Sequence, residues 1–513
     1  MGTYAPRTAD ATVLHGVVRD HLDDFLAAAA ARTDGTGLPA FIEREFRNFL
    51  RCGLLVHGFL RVRCEGCAFE RLVPFSCKAR AVCPSCGGRR MAERAANLVE
   101  QVFPTVPVRQ WVLTVPHRLR YRLAFDHALC RAVLGVFVRA VLGDYRRRAR
   151  RQGLRDGQGG SVTVIQRFGS GLQLNAHYHS LLVDGVFTEA ADGSLRFHPA
   201  PPPTDAEVGR LVATVRTRVL RLLRRRGVLG EPEEGDAPDP LAETSLVLAG
   251  ITSAAVQGRS ALGPRPGARV LQIGRVPGLP WITSTGPRQA HLDGFDLHAN
   301  VAVAADNREA LEQLSRYVLR PPIAQERLSR TTDGRILLTL KTEWTDGTTA
   351  LLFEPVELLE RLAALTPRPR INLVPHHGAF APHSGWRARV VAYGRDATVL
   401  LDADEPSTPP GPPTSPPASP ATRSPDPPPE PPVREPAPAP DAASPRPRGW
   451  SWPDLLRHTF AVDVLACPRC GGRMRVIATI EDPVVIRKIL THLGLPTEPP
   501  SPRPPPRDLL LDV

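Results

Sequence analysis

Two histidines separated by one residue, in Asn175-Ala176-His177-Tyr178-His179-Ser180-Leu181, carry the sharpest chemical signal in the chain. On a β-strand alternate side chains share a face, so the two imidazoles stand side by side, about 6 to 7 Å apart along the backbone. A pair so placed can chelate one metal ion, and it equally serves as an ordinary polar strand edge. A third ligand is needed. Gln166, on the segment before, and His298, in Phe295-Asp296-Leu297-His298-Ala299, are the candidates.

The second element is Leu314-Ser315-Arg316-Tyr317-Val318-Leu319-Arg320-Pro321-Pro322. At about 100° per residue, Leu311, Leu314 and Val318 form a buried stripe, and Tyr317 falls at its margin beside Gln313 and Arg320. A phenol is a poor nucleophile at neutral pH. A metal that polarises a phosphate and a nearby cation make its attack feasible. By geometry alone Tyr317 reads first as a packing residue, and as a nucleophile only in company with a metal.

Cysteine supplies the third signal. Cys64-x2-Cys67 is followed by Cys83-x2-Cys86, the spacing at which two knuckles close on a tetrahedral Zn²⁺, so one structural zinc on Cys64, Cys67, Cys83 and Cys86 is expected. Cys52, His57 and Cys77 stand by as ligands of a second site or as a replacement in the first. Cys467-x2-Cys470-Gly471-Gly472 is a further knuckle with half its ligands in view, for which His458 or His492 are candidate partners.

These residues need elements to hold them. Val108 to Val115 reads as a buried strand ended by Pro116, and Asp126 to Arg151 as a long helix. Ser161 to Phe168 and Leu172 to Phe187 read as two strands joined through Gly169-Ser170-Gly171, which places the histidine pair on a hairpin. Thr204 and Glu207 form a capping box for a helix to Arg226, apolar on one face and rich in arginine on the other. The tyrosine helix starts near Asp306, with Glu309 as the box partner, and must stop by Arg320 because Pro321 and Pro322 follow. Residues 10 to 50 look helical. From about 230 to 290 only a few short strands can be placed. The chain from 405 to 448 is dominated by Pro, Ala and Ser and is expected to form an extended linker.

The chain has 513 residues, with a net charge of +13 that comes mainly from arginine. Its length implies several modules, and its charge suits phosphate binding, so nucleic acid is the leading partner. No leader-like start and no long apolar span is visible, which points to a cytoplasmic protein with reduced cysteines rather than a secreted or membrane-spanning one.

Taken together, the cysteine ribbon, VTVIQRFGSGLQLNAHYHSLLVDGVF and SRYVLRPPIA resemble transposases of the insertion-sequence-91 group, enzymes of the HUH type. KTEWTDGTTALLFEP, HHGAFAPHS and FAVDVLACPRCGGRMRVIATIEDPVVIRKIL extend the resemblance. The resemblance implies an α/β (α+β) protein in these parts: a helical segment 1–50, a zinc-binding ribbon 51–95, and an HUH domain 96–395 with a central antiparallel sheet flanked by helices. The HUH domain has an insertion at about 190–290, and a Pro-rich linker 400–449 and a small CxxC module 450–500 follow it. It implies cleavage and rejoining of single-stranded DNA in rolling-circle transposition, with Tyr317 as nucleophile and Mg²⁺ or Mn²⁺ on His177 and His179. Substrates would be single-stranded or hairpin element ends, met at the nucleoid, by a chain whose oligomeric state the sequence leaves open. Arg316, Arg320, Arg221, Arg224 and Arg225 are the expected DNA contacts. The founding branch carries two tyrosines four residues apart; Gln313 stands at the earlier position here, as in the related common-region elements. A replication initiator or relaxase with the same chemistry, and a non-catalytic DNA-binding regulator, are the rival readings.

Overall fold

A computed structural model of the chain describes residues 8–33, 35–229, 239–276, 286–395, 453–454, 457 and 463–502. The expected Pro-rich linker and His458 lie outside the described residues.

The N-terminal pair of helices, α1 (Val13–Ala31) and α2 (Ala40–Arg51), forms because Thr12 caps the first and because Leu14, Val18, Leu22 and Phe25 recur on one face opposite Ile42, Phe46 and Phe49. A hairpin of β1 (Phe59–Cys64) and β2 (Glu70–Pro74) follows, with the first CxxC knuckle at its tip. The second knuckle opens α3 (Pro84–Gln101): Cys83 is the N-cap, its sulfur accepts from the Cys86 N–H, and Pro84 fits the first turn.

The central sheet begins with β3 (Val108–Thr114). After α4 (His117–Phe125), Asp126 caps α5 (His127–Arg151) by accepting from the Leu129 N–H at 2.8 Å. Next come β4 (Gly160–Phe168) and β5 (Leu174–Val183), then a separate hairpin of β6 (Gly185–Glu189) and β7 (Leu195–Pro199). The single strand expected through Phe187 breaks at Asp184. There the carboxylate is drawn aside to receive Arg109 at 2.7 Å and the Tyr145 hydroxyl at 2.7 Å, and Gly185 turns the chain close under the His198 carbonyl. The capping box of α6 (Asp205–Arg225) is present as expected.

Between 230 and 290 the described residues include two helices that the Gly/Pro punctuation hid, α7 (Pro240–Thr244) and α8 (Leu246–Gln257), the second capped by Ser245. Short strands β8 (Leu271–Ile273), β9 (Gln289–Leu292), β10 (Phe295–His298) and β11 (Ala302–Val303) lead to α9 (Arg308–Leu319). Its N-cap is Asn307, accepting from the Ala310 N–H, one residue later than the expected Asp306. Strands β12 (Leu328–Arg330), β13 (Ile336–Thr339) and β14 (Ala350–Phe353) precede α10 (Pro355–Leu365), β15 (His376–Gly378) and α11 (Arg387–Ala392). The C-terminal segment adds β16 (Met474–Ile480) and α12 (Pro483–His492).

The fold is mixed α/β with antiparallel sheets. The largest has seven strands in the order β15-β4-β5-β3-β10-β9, with β11 also on β3. One face packs on α4, α5 and α6 through Trp111, Leu113, Ile165, Tyr178, Phe137 and Val215. The other packs on α3 and α9 through Val162, Val164, Leu181, Leu98 and Val318. A second sheet, β12-β13-β14-β8, shares a core with α1, α2, α8 and α10. The third sheet joins distant ends of the chain, because β16 pairs with β1 alongside β2. Among the described residues no helix is long and apolar enough to cross a membrane.

Candidate functional site

Register decides what meets the histidine pair. On β5, His177 is opposite Gln166 of β4 and Thr114 of β3, and His179 is opposite Val164 and Val112. Paired residues of antiparallel strands share a face, so all six look toward α3 and α9. The two Nε2 atoms are 3.0 Å apart. His179 is 5% exposed, while His177 is half-buried. Burial pushes the His177 imidazole down to about 4, with Arg320 and Arg120 acting in the same direction. Burial, His177 and Arg320 push His179 well below its ordinary value. Both rings are therefore neutral at pH 7, the form that binds metal.

The outward nitrogens fix the tautomers. His177 Nδ1 lies 2.9 Å from the Asn175 carbonyl oxygen, which can only accept, so Nδ1 carries the proton and Nε2 offers its lone pair. His179 Nδ1 lies 2.9 Å from the side-chain amide of Gln110. With the NH₂ of Gln110 donating, His179 holds its proton on Nε2 and donates it to His177. With the amide turned over, its oxygen accepts from Nδ1–H and both Nε2 lone pairs are free for one ion. Gln110 was not among the expected site residues. The available signal was a glutamine in the buried strand VRQWVLTV, two positions from Val112 and so on the histidine face.

Gln166 is buried. Its Nε2 donates to the Val318 carbonyl at 3.2 Å, while its Oε1, also buried, has no hydrogen-bond partner. An orphaned carbonyl oxygen costs free energy unless something satisfies it, and its place opposite His177 suits a third ligand. His298 fares differently. It shares the row of His179, with Val112 of β3 standing between them.

Tyr317 sits in the last turn of α9, 45% exposed, with its ring edge-on to His179 at a centroid distance of 6.0 Å. The Arg320 guanidinium stacks over the phenol ring at 4.4 Å and also reaches Phe168 at 5.7 Å. Of the other described tyrosines, Tyr145 and Tyr178 are buried, the Tyr121 hydroxyl donates to Asp239, and the Tyr393 hydroxyl accepts from the Phe197 N–H. Gln313 is exposed and bonded to Glu309 on its own helix.

Beside this site a cleft of about 130 Å³ runs between α3 and the β4–α9 edge, lined in part by Arg80, Arg90, Arg94, Arg167, Arg320 and Gln166. None of these arginines forms a salt bridge with a carboxylate among the described residues. Burial and the neighbouring arginines lower Arg80 and Arg94 from their ordinary values, opposed in part by Glu45 and Glu93. Two expected DNA-binding sets are placed differently. Arg316 is held by Glu312 at 2.6 Å on α9, and Arg221, Arg224 and Arg225 are exposed on α6, which covers the opposite face of the sheet.

The cysteines expected to share one ion do not converge. Cys83 and Cys86 gather with Cys52 and Cys77, and Cys64 and Cys67 with Cys467 and Cys470. The reason is the hairpin. Cys64 and Cys67 form its tip, and β2 carries the chain back to the base, where Gly53 and Gly58 bond Phe75 and where Cys52 and Cys77 meet. Tip and base are separated by five or six strand residues, roughly 17 to 20 Å. In the base cluster Cys52 lies 3.7 Å from both Cys83 and Cys86, and Cys77 lies 3.5 Å from Cys86. Such spacing fits a tetrahedron of thiolates around zinc, whose edges are about 3.8 Å. His57 takes no part, and the ninth cysteine, Cys130, is buried in the core against Tyr178.

The base cluster also touches the tyrosine helix. From Cys83 and Cys86 α3 runs against α9, and a Cβ on Gly87 would lie 2.7 Å from Cβ of Pro321, just past Tyr317.

Two family models of known proteins match the chain. A family model described as “Putative transposase” matches residues 160–387, which hold the histidine strand and Tyr317. A second, for the transposase zinc-binding domain of the insertion-sequence-91 type, matches residues 17–115, which hold the base cluster entire. No curated protein and no solved structure gives a match. The class is therefore that of DNA-processing enzymes that move genetic elements. Within it, the transposase match over residues 160–387 and the insertion-sequence-91 zinc-binding match over residues 17–115 support an insertion-sequence-91 family transposase.

Proposed function

We propose that this transposase nicks and rejoins single-stranded DNA through a 5′-phosphotyrosine on Tyr317, in a rolling-circle type of transposition. The carrying observation is the exposed phenol, edge-on to His179 beside two neutral imidazoles whose Nε2 atoms are 3.0 Å apart. The Nε2 lone pairs of the two imidazoles and the orphaned Gln166 oxygen are donors that would suit a Mg²⁺ or Mn²⁺ ion. His177, His179 and Gln166 would hold such an ion, which when bound polarises the scissile phosphate. Asn175 and Gln110 keep the imidazoles oriented. Arg320, stacked on the phenol, offers a cation to the charge that develops as the Tyr317 oxygen attacks phosphorus. The P–O3′ bond breaks, the phosphotyrosine forms, and the phenol proton ends on the departing 3′ oxygen. Attack by a 3′-OH on that ester reverses the step and rejoins DNA.

With Gln313 in the earlier position, the chain falls in the single-tyrosine branch, and Tyr317 supplies the nucleophile for each cleavage. The arginine cleft gives the strand a phosphate-binding route to this tyrosine. The test is to incubate the protein with labelled single-stranded element-end oligonucleotides and Mn²⁺, then look for an adduct that survives denaturation. It is expected with the unchanged chain and absent with Tyr317→Phe. An adduct that persists in Tyr317→Phe removes Tyr317 as nucleophile, and its absence from the unchanged chain favours the regulator reading.

A further inference from the structure

We propose that Cys64, Cys67, Cys467 and Cys470 hold a second Zn²⁺, a clasp that builds one zinc ribbon from both ends of the chain. The four ligand atoms lie within 4.8 Å of one another, with Cys64 Sγ 3.5 Å from Cys470 Sγ and Cys67 Sγ 3.5 Å from Cys467 Sγ. Sulfurs of a tetrahedral zinc site stand about 3.8 Å apart, whereas a disulfide needs about 2.05 Å, so the set has the dimensions of a metal site. Its two halves are alike: each is a C-x2-C turn at the end of a strand. The Gly66 N–H points to Cys64 Sγ at 3.4 Å, as in a knuckle prepared for thiolate.

The surroundings serve the same joint. Strand β16 runs antiparallel along β1 from Phe59 opposite Ile480 to Cys64 opposite Met474, which delivers the second knuckle beside the first. The Glu65 N–H donates to the Arg473 carbonyl at 3.0 Å, Arg71 donates to the Val464 carbonyl at 3.0 Å, and Arg469 lies over the Phe69 ring at 4.8 Å. Among the described residues, Val62 and Met474 are buried with Cys64 and Cys467, and Phe69 and Val73 pack partly buried against them. The β1–β16 pairing and the packing of Ile486 and Leu490 of α12 on Phe59 hold the same joint, and a tetrathiolate metal site would add to them in closing a loop of some 400 residues. The N-terminal hairpin is therefore an incomplete ribbon until the C-terminal segment reaches it, which the zinc-binding family match, ending at residue 115, does not contain.

Metal analysis of the full chain, purified without added metal, is expected to give about two Zn²⁺ per chain, and about one in the Cys467→Ser/Cys470→Ser variant. Equal zinc in the two proteins overturns the clasp. So does loss of free thiols from the unchanged chain on alkylation under denaturing, non-reducing conditions, because the set would then be disulfides. A second measurement does not depend on that variant folding. With a protease site placed between residues 405 and 448 of the otherwise unchanged chain, the cleaved C-terminal fragment is expected to co-elute with the remainder in zinc and to separate after chelation. A fragment that separates while about two zinc ions remain bound, or that stays once both have been removed, contradicts the proposal.

Discussion

Gln110 shows how much of this site rests on a residue that need not touch substrate. Its amide faces Nδ1 of His179 at 2.9 Å, and the way that amide is turned decides whether His179 offers a lone pair or a proton to its neighbour. Partners of this kind typically carry 10- to 100-fold in metal affinity. Gln110→Ala is expected to weaken Mn²⁺ binding about 10-fold in calorimetry. Gln110→Glu, which can only accept, should keep affinity near that of the unchanged chain. Equal binding by the alanine variant and the unchanged chain would remove Gln110 from this role. The same logic explains the depressed imidazoles: burial without a carboxylate partner keeps them neutral, so metal occupancy should survive mild acid and fail only as the pH approaches about 4.

Among elements, the contact between α3 and α9 links the zinc domain to Tyr317, the proposed nucleophile. The base cluster fixes the start of α3, Gly87 lies against Pro321, and Gln166 holds the last turn of α9 through the Val318 carbonyl. A methyl group at Gly87 has to displace Pro321, whose ring is rigid, and Tyr317 four residues before it shifts with the turn. Misplacement of a reacting group by about 1 Å costs on the order of 10²-fold in rate. Gly87→Ala is accordingly expected to slow adduct formation roughly 10- to 100-fold while zinc content stays at the unchanged level. An unaltered rate would show that the zinc domain does not position the tyrosine.

At the scale of the molecule, charge is distributed over both layers that flank the central sheet, and only one layer meets the site. The cleft residues Arg94 and Arg320 lie on the side of His177 and Tyr317, whereas the Arg167 guanidinium is buried against the Ala124 and Ala364 carbonyls and the exposed arginines of α6 lie behind the sheet. Each phosphate contact to a single strand contributes about 0.7 to the slope of log affinity against log salt. In a Tyr317→Phe background, Arg94→Ala with Arg320→Ala is expected to flatten that slope by about 1.4. Neutralising Arg221, Arg224 and Arg225 should leave it unchanged. The reverse pattern would route the strand across α6.

The sequence by itself determined whatever depends on near neighbours along the chain. Period-two alternation put His177 and His179 on one face, Thr204 with Glu207 marked a helix start, and Pro321 marked a helix end, because strand pleat, capping and proline sterics act over a few residues. It also identified each CxxC as a knuckle. Only the tertiary structure decided which knuckles share an ion, because that depends on the length of the β1–β2 hairpin and on β16 crossing some 400 residues to pair with β1. The same holds for Gln110 beside His179, Val112 between His179 and His298, and α6 behind the sheet. Each follows from strand order and register between segments far apart in the chain, which no local pattern encodes.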